Sequence, residues 1–138
     1  MRILFENEQF ACLLDEEIPC VMVQYRSFQT VGEMEANVDR ASDYYDALQD
    51  VYHPLYWLSD NRDQLELDPE VIHWANETWL PRMVQLGLSR IALVYRRQTM
   101  AALSLDEFSK NAMLDFPGGR LEVAYFASLE DAREWLAG

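Results

Sequence analysis

Three short runs, apolar but for Arg90 and Glu122, are Leu55-Tyr56-Trp57-Leu58, Arg90-Ile91-Ala92-Leu93-Val94-Tyr95 and Leu121-Glu122-Val123-Ala124-Tyr125-Phe126, and stretches whose apolar residues recur at helical spacing separate them. A run that is apolar along its length, not at alternate positions, suits a strand covered on both faces. Strands that alternate with helices pair in parallel through helical crossovers. The pattern predicts an α/β fold: a mixed, mostly parallel sheet with helices packed against it.

The crossovers can be read residue by residue. Thr30-Val31-Gly32-Glu33 has capping-box spacing, in which the Thr oxygen and the Glu carboxylate satisfy each other's exposed backbone donors. Val31, Met34, Val38, Ala41, Tyr45 and Leu48 then recur at intervals of three and four, with Glu35, Asp39, Asp43, Asp46 and Asp50 between them: one buried stripe under an acidic face. After the run at 55–58, Asp68-Pro69-Glu70 opens a second helix, with Asp as N-cap and Pro where its missing N–H costs nothing. Ile72, Ala75, Trp79, Met83 and Leu86 form its expected inner stripe, and Gly87 ends it. Pro81 removes a hydrogen bond inside that helix and predicts a bend. Ser104-Leu105-Asp106-Glu107 reads as a cap before a short helix with Leu105, Phe108 and Ala112 inward, and Phe116-Pro117-Gly118-Gly119 reads as a turn. Ser128-Leu129-Glu130-Asp131 caps a last helix with Leu129, Ala132 and Leu136 inward.

At the amino-terminal end, residues 9–14 and 18–25 flank an acidic Asp15-Glu16-Glu17 turn and predict an antiparallel hairpin. Pro19 cannot donate to a ladder, which places it at the beginning of the second strand or on an edge; Ile3-Leu4-Phe5 supplies a short edge piece. The expected order is β-β-α-β-α-β-α-β-α in a single domain over residues 1–138, a length that buries roughly two thirds of the unfolded surface.

Charge narrows the partners. The net charge is −13, and the first fifty residues carry 11 acids against 3 arginines. That balance opposes binding to DNA, RNA or anionic lipid, which relies on clustered Lys and Arg. It reads as a solvated acidic surface, or less simply as a docking face for a basic partner. No apolar segment approaches the roughly 20 residues of a membrane span, and Glu6 interrupts the opening run before a signal-peptide core develops, so a cytoplasmic location is expected. Cys12 and Cys20 are eight apart without CxxC spacing and are read as buried thiols.

Several segments together resemble a known group. Ile3-Leu4-Phe5-Glu6-Asn7, the strand end Trp57-Leu58-Ser59-Asp60-Asn61-Arg62, and the helix pattern from Trp74 to Trp79-Leu80-Pro81-Arg82 are similar to the small bacterial STAS-like proteins, relatives of the sporulation anti-sigma-factor antagonist. The stretch from Gly87-Leu88 to Val94 and the ending from Val123-Ala124-Tyr125-Phe126 to Trp135-Leu136 extend the resemblance over nearly the whole chain. It implies a mixed sheet flanked by helices and non-catalytic roles: binding a partner protein, sensing a ligand, or switching by phosphorylation. Switching members carry a phosphorylatable Ser at the start of the helix after the third strand. Here that helix begins at Asp68-Pro69, and Ser59 does not match the position, so the chain resembles a branch without the phosphosite.

Candidate site residues follow from the fold expectation, since open α/β sheets bind ligands beyond the carboxyl ends of their parallel strands. Those ends present Asp60, Asn61 and Arg62, then Arg96, Arg97 and Gln98, then Ser128. Guanidinium forks bind carboxylate or phosphate, so Arg62, Arg96 and Arg97 could form a small-anion site; ion pairing of Arg62 with Asp60, Asp63 or Glu66 is the simpler expectation. Trp57, Trp74, Trp79, Trp135, Tyr56 and Tyr95 could line an apolar pocket, though core packing explains large aromatics more simply. His53 and His73 lack metal-site spacing, and no nucleophile elbow, Walker loop or dinucleotide motif is present. Neither an enzyme nor a cofactor or metal is expected. The leading expectation is a non-catalytic regulatory or protein-interaction module that uses the side carrying its first two helices; the competing one is a binder of an acidic metabolite or lipid in the strand-end crevice near Arg62. Homodimerisation is left open.

Overall fold

The computed structural model describes residues 1–64, 68–102 and 111–138, and its strands form one seven-stranded mixed sheet. Strands β1 (Arg2–Glu6), β2 (Phe10–Asp15), β3 (Cys20–Tyr25), β4 (Tyr56–Asp60), β5 (Arg90–Val94), β6 (Asn111–Phe116) and β7 (Gly119–Phe126) lie in the order β1-β2-β3-β4-β5-β7-β6. The central four, β3, β4, β5 and β7, are parallel. The flanking pairs β1–β2, β2–β3 and β6–β7 are antiparallel.

Helices cover both faces. On one face, Tyr45 of α1 (Val31–Leu48) and Met83 of α3 (Leu80–Gln85) join Trp79 over Phe10, Val21, Trp57, Ile91 and Leu121 of the sheet. On the other, Ala132 and Leu136 of α5 (Leu129–Ala137) close over Cys20, Met22, Leu58, Ala92 and Val94. Trp57 and Leu58 therefore enter opposite cores, which is why the run at 55–58 shows no alternation.

The α1 capping box is complete: the Glu33 N–H donates to Thr30 Oγ1 at 3.2 Å, and the Thr30 N–H donates to Glu33 Oε1 at 3.1 Å. Met34, Val38, Ala41 and Tyr45 are buried as the spacing requires, and the Tyr45 hydroxyl donates to the Leu55 carbonyl at 2.8 Å. Asp68 caps α2 (Pro69–Trp74) by accepting from the Glu70 N–H at 2.9 Å.

The helix expected from Asp68 to Gly87, with a bend at Pro81, is three pieces. Between α2 and α3 lies a π-helical turn, Ala75–Trp79, in which the Leu80 N–H donates to the carbonyl of Ala75, five residues back. The wider turn immediately precedes Pro81, whose ring would crowd an ordinary α-turn and which has no N–H to give it. One extra residue also re-phases the apolar stripe. Val71 and Trp74 pack on the core with Ala75 and Trp79, while Ile72, expected inside, is 43% exposed. Gly87, at φ +107°, ends α3 with its N–H on the Val84 carbonyl and the Leu88 N–H on the Met83 carbonyl.

The carboxyl-terminal third differs from expectation. A short helix α4 (Arg97–Ala102) follows β5, where the sequence pattern predicts none; six residues are too few to show a helical period. The helix expected from Ser104 lies over residues outside those described, but Ala112, its intended last inward position, belongs to strand β6. β6 and β7 are joined through Pro117-Gly118, with Gly118 at φ +99° as the second central position of a Pro-Gly turn requires. Cys12 and Cys20 are buried free thiols, and burial pushes each up to about 12. Among the described residues, no helix is long and apolar enough to cross a membrane.

Candidate functional site

The parallel strands β4, β5 and β7 bring Ser59, Leu93 and Tyr125 into one register row on the face that carries α1. One inward position further along, two residues beyond Val23, Ser59 and Leu93, stand Tyr25, Asn61 and Tyr95. The ladder continues past the strand ends to hold them: the Asn61 N–H donates to the Val94 carbonyl at 2.8 Å and the Tyr95 N–H to Phe126 at 3.0 Å. Apolar side chains thus give way to polar ones as the central strands leave the core.

These residues form one end of a cavity of about 420 Å³. Its floor is the sheet, with Trp57, Ile91 and Val123; its roof is Met34 and Val38 from α1 with Val71 and Trp74 from α2. It reaches solvent beside Asp68, Ile72 and Asn76, which are exposed. The volume lies within the range of small-molecule sites, and well above the voids that close packing leaves. Trp79 fixes the wall between floor and roof: its ring meets Trp57 edge-on at 5.0 Å, and its indole N–H donates to the Ser42 hydroxyl at 2.8 Å.

The polar end is uncharged. Burial pushes the Tyr25 phenol up to about 12, with a hydrogen bond to Ser59 acting the other way. Burial also raises Tyr95 and Tyr125, and Tyr95 is raised further by the neighbouring phenols of Tyr125 and Tyr25. Tyr95 and Tyr125 stack with centroids 6.2 Å apart. All three phenols stay protonated at neutral pH. The Ser59 hydroxyl donates to Asn61 Oδ1 at 3.2 Å, so this pair is already internally satisfied.

Of the residues that the sequence singled out at the strand ends, Asn61 lines the cavity; Asp60, Arg62, Arg96 and Arg97 stand outside its lining. Asp60 alternates with Ser59 and so turns to the α5 face, where its two carboxylate oxygens accept from Arg62 Nε and Nη2, each at 2.9 Å. Arg96 Nη2 is 3.3 Å from Asp63 Oδ1, and Arg97 opens α4 on the surface. Ser128 caps α5, accepting from the Asp131 N–H at 3.1 Å. Among the aromatic candidates, Trp57, Trp74, Trp79 and Tyr95 do line the cavity. Tyr56 and Trp135 belong to the opposite face, where they flank the Arg90 guanidinium at 5.8 and 5.1 Å. His53 and His73 are both exposed, and among the described residues no three His, Cys, Asp or Glu side chains are grouped to hold a metal ion.

Tyr25, Ser59 and Tyr125 were not singled out by sequence. Each stands two residues beyond a buried inward-facing position, Val23, Trp57 or Val123, and that period-two step from apolar to polar is the signal that marks them.

No family model matches this chain, and no curated protein or solved structure matches it either.

Proposed function

We propose that this chain is a non-catalytic binding module whose cavity, at the carboxyl ends of the parallel strands, holds a small and largely apolar molecule. One observation carries the reading: a cavity of about 420 Å³ with apolar floor and roof and a cluster of phenol, hydroxyl and amide groups at one end. Binding sites are commonly mostly apolar with a few convergent polar groups, and doubly wound sheets place them at strand ends. An apolar cavity of about 150 Å³ accepts benzene, so this one accommodates a molecule of roughly fifteen non-hydrogen atoms. Such a module suits a regulatory role, in which occupancy is read out by α1 and α2 together, and ligand sensing is one of the roles that the resemblance to STAS-like proteins implies.

A thermal-shift screen over aromatic, aliphatic, acidic and basic small molecules tests it. The expected result is a concentration-dependent rise in Tm that is lost in Ala75→Phe, which fills space from the cavity wall. A flat screen, with the wild-type chain folded, would remove this reading. It would favour instead a protein partner on the acidic outer face of α1, where Asp39, Asp43 and Asp46 are exposed.

A further inference from the structure

The aromatic content and charge of the cavity narrow what it holds. Three tryptophans, Trp57, Trp74 and Trp79, and three tyrosines, Tyr25, Tyr95 and Tyr125, contribute to its lining. The faces of such rings carry negative potential and attract cations, Trp most strongly. Among the described lining residues one side chain is charged, and it is a carboxylate, Asp68 at the mouth. The chain as a whole carries −13, so its field draws cations in and turns anions away. Of the three arginines beside the strand ends, Arg62 is held by Asp60 and Arg96 by Asp63, and Arg97 is exposed on the surface outside the cavity lining. A strongly hydrated primary ammonium would lose too much solvation in so apolar a space, whereas an alkylated one loses little.

We infer that the ligand of this cavity carries a weakly hydrated organic cation, a tertiary or quaternary ammonium, on a largely apolar body. The inference rests on the cavity reading given above and adds the charge. The ammonium lies against the ring faces of Trp74 and the strand-end tyrosines, with Asp68 closing the mouth, and the apolar body fills the space over Ile91 and Val123.

A matched trio of probes separates charge from shape: 3-hydroxyphenyltrimethylammonium, its neutral isostere 3-tert-butylphenol, and 3-hydroxybenzoate. Binding is read by tryptophan fluorescence, since Trp57, Trp74 and Trp79 all touch the cavity. The ammonium is expected to bind roughly three- to thirtyfold more tightly than the isostere, and the benzoate more weakly than either. Trp74→Leu and Asp68→Asn should each reduce that preference while 3-tert-butylphenol binding persists; Asn retains the helix cap, so the second variant keeps the fold. Equal or tighter binding of the isostere or the benzoate would overturn the cation inference and leave the cavity reading standing. A preference for the ammonium that survives both variants would overturn it too, because the charge would then be recognised elsewhere. If none of the three binds and the wider screen is also flat, both readings fail together.

Discussion

The indole N–H of Trp79 donates to the Ser42 hydroxyl at 2.8 Å, and that hydroxyl donates in turn to the Val38 carbonyl at 2.7 Å. A buried donor on the π-turn is thereby satisfied by α1, and the two elements that wall the cavity are pinned to each other. Ser42→Ala leaves the indole N–H without its partner in the core and is expected to cost about 1–3 kcal/mol. Trp79→Ala removes the ring as well and is expected to cost about 3–5 kcal/mol. Urea unfolding measures both. Equal midpoints for Ser42→Ala and wild type would mean that the indole finds another acceptor.

Arg62→Ala takes away the bidentate partner of Asp60, whose side chain is only 8% exposed. An expected loss of about 1–3 kcal/mol follows from leaving that carboxylate without its two guanidinium hydrogen bonds, the backbone N–H of residue 62 to Asp60 Oδ1 at 3.2 Å being retained. Because Arg62 is outside the cavity lining, affinity for any cavity ligand should change by less than about twofold. Paired unfolding and binding titrations on the same variant test the two halves. A large loss of affinity would show that the ligand extends to the turn after β4.

Burial raises Cys12, Cys20, Tyr25 and Tyr45 to about 12 from ordinary values of 9.0 for the thiols and 10.0 for the phenols. Between those limits the native chain holds more protons than the unfolded one, so the slope of stability against pH is negative there. This contribution is whole below pH 9 and declines as pH rises towards 12. Tm measured from pH 7 to pH 11 should hold and then fall. In the same buffers at pH 8, a thiol reagent should label neither cysteine of the native chain and both after unfolding, since the thiolate is the reactive form.

Gly87 takes φ +107°, and a Cβ built there would stand 3.2 Å from Gln49 Nε2. The Gln49 amide donates to the Leu86 carbonyl and ties the end of α1 to the end of α3. Gly87→Ala is expected to cost about 1–2 kcal/mol, and Gly87→Asn less, because Asn tolerates the left-handed region. The urea midpoint should move with the slope unchanged; a change of slope would point to a change in the unfolded ensemble.

The central sheet was legible because its residues have little choice. With Trp57 in one core and Leu58 in the other, the run at 55–58 has to be apolar throughout, and that is visible without coordinates. The capping box of Thr30 and Glu33 is local chemistry and was equally plain. β6 was hidden because Met113 and Leu114 are both exposed, so this edge strand has no alternation, and Ala112 fits a helical stripe as well as a strand. The π-turn was hidden because one added residue changes which side chains face inward without changing composition; Pro81 was its only local trace. The cavity was half legible. Its location beyond the strand ends follows from topology, and Asn61 was found there, but a polar residue such as Tyr25 or Tyr125 also occurs wherever a sheet meets solvent. Those residues gain meaning only because α2 lies over them.

Among the described residues the sheet order ends at β1 and β6, and on these outer strands Ile3 and Met113 are more than half exposed. Edge strands with apolar side chains are templates for pairing between copies of a chain. The charge of −13 that each molecule carries opposes such pairing. Colloidal behaviour and fold stability therefore have separate limits in this protein. Near the isoelectric point of about 4.4 neighbouring molecules lack the repulsion of that charge while each sheet keeps its two apolar cores, so light scattering from associating folded chains is expected to rise before the tryptophan signal of unfolding changes.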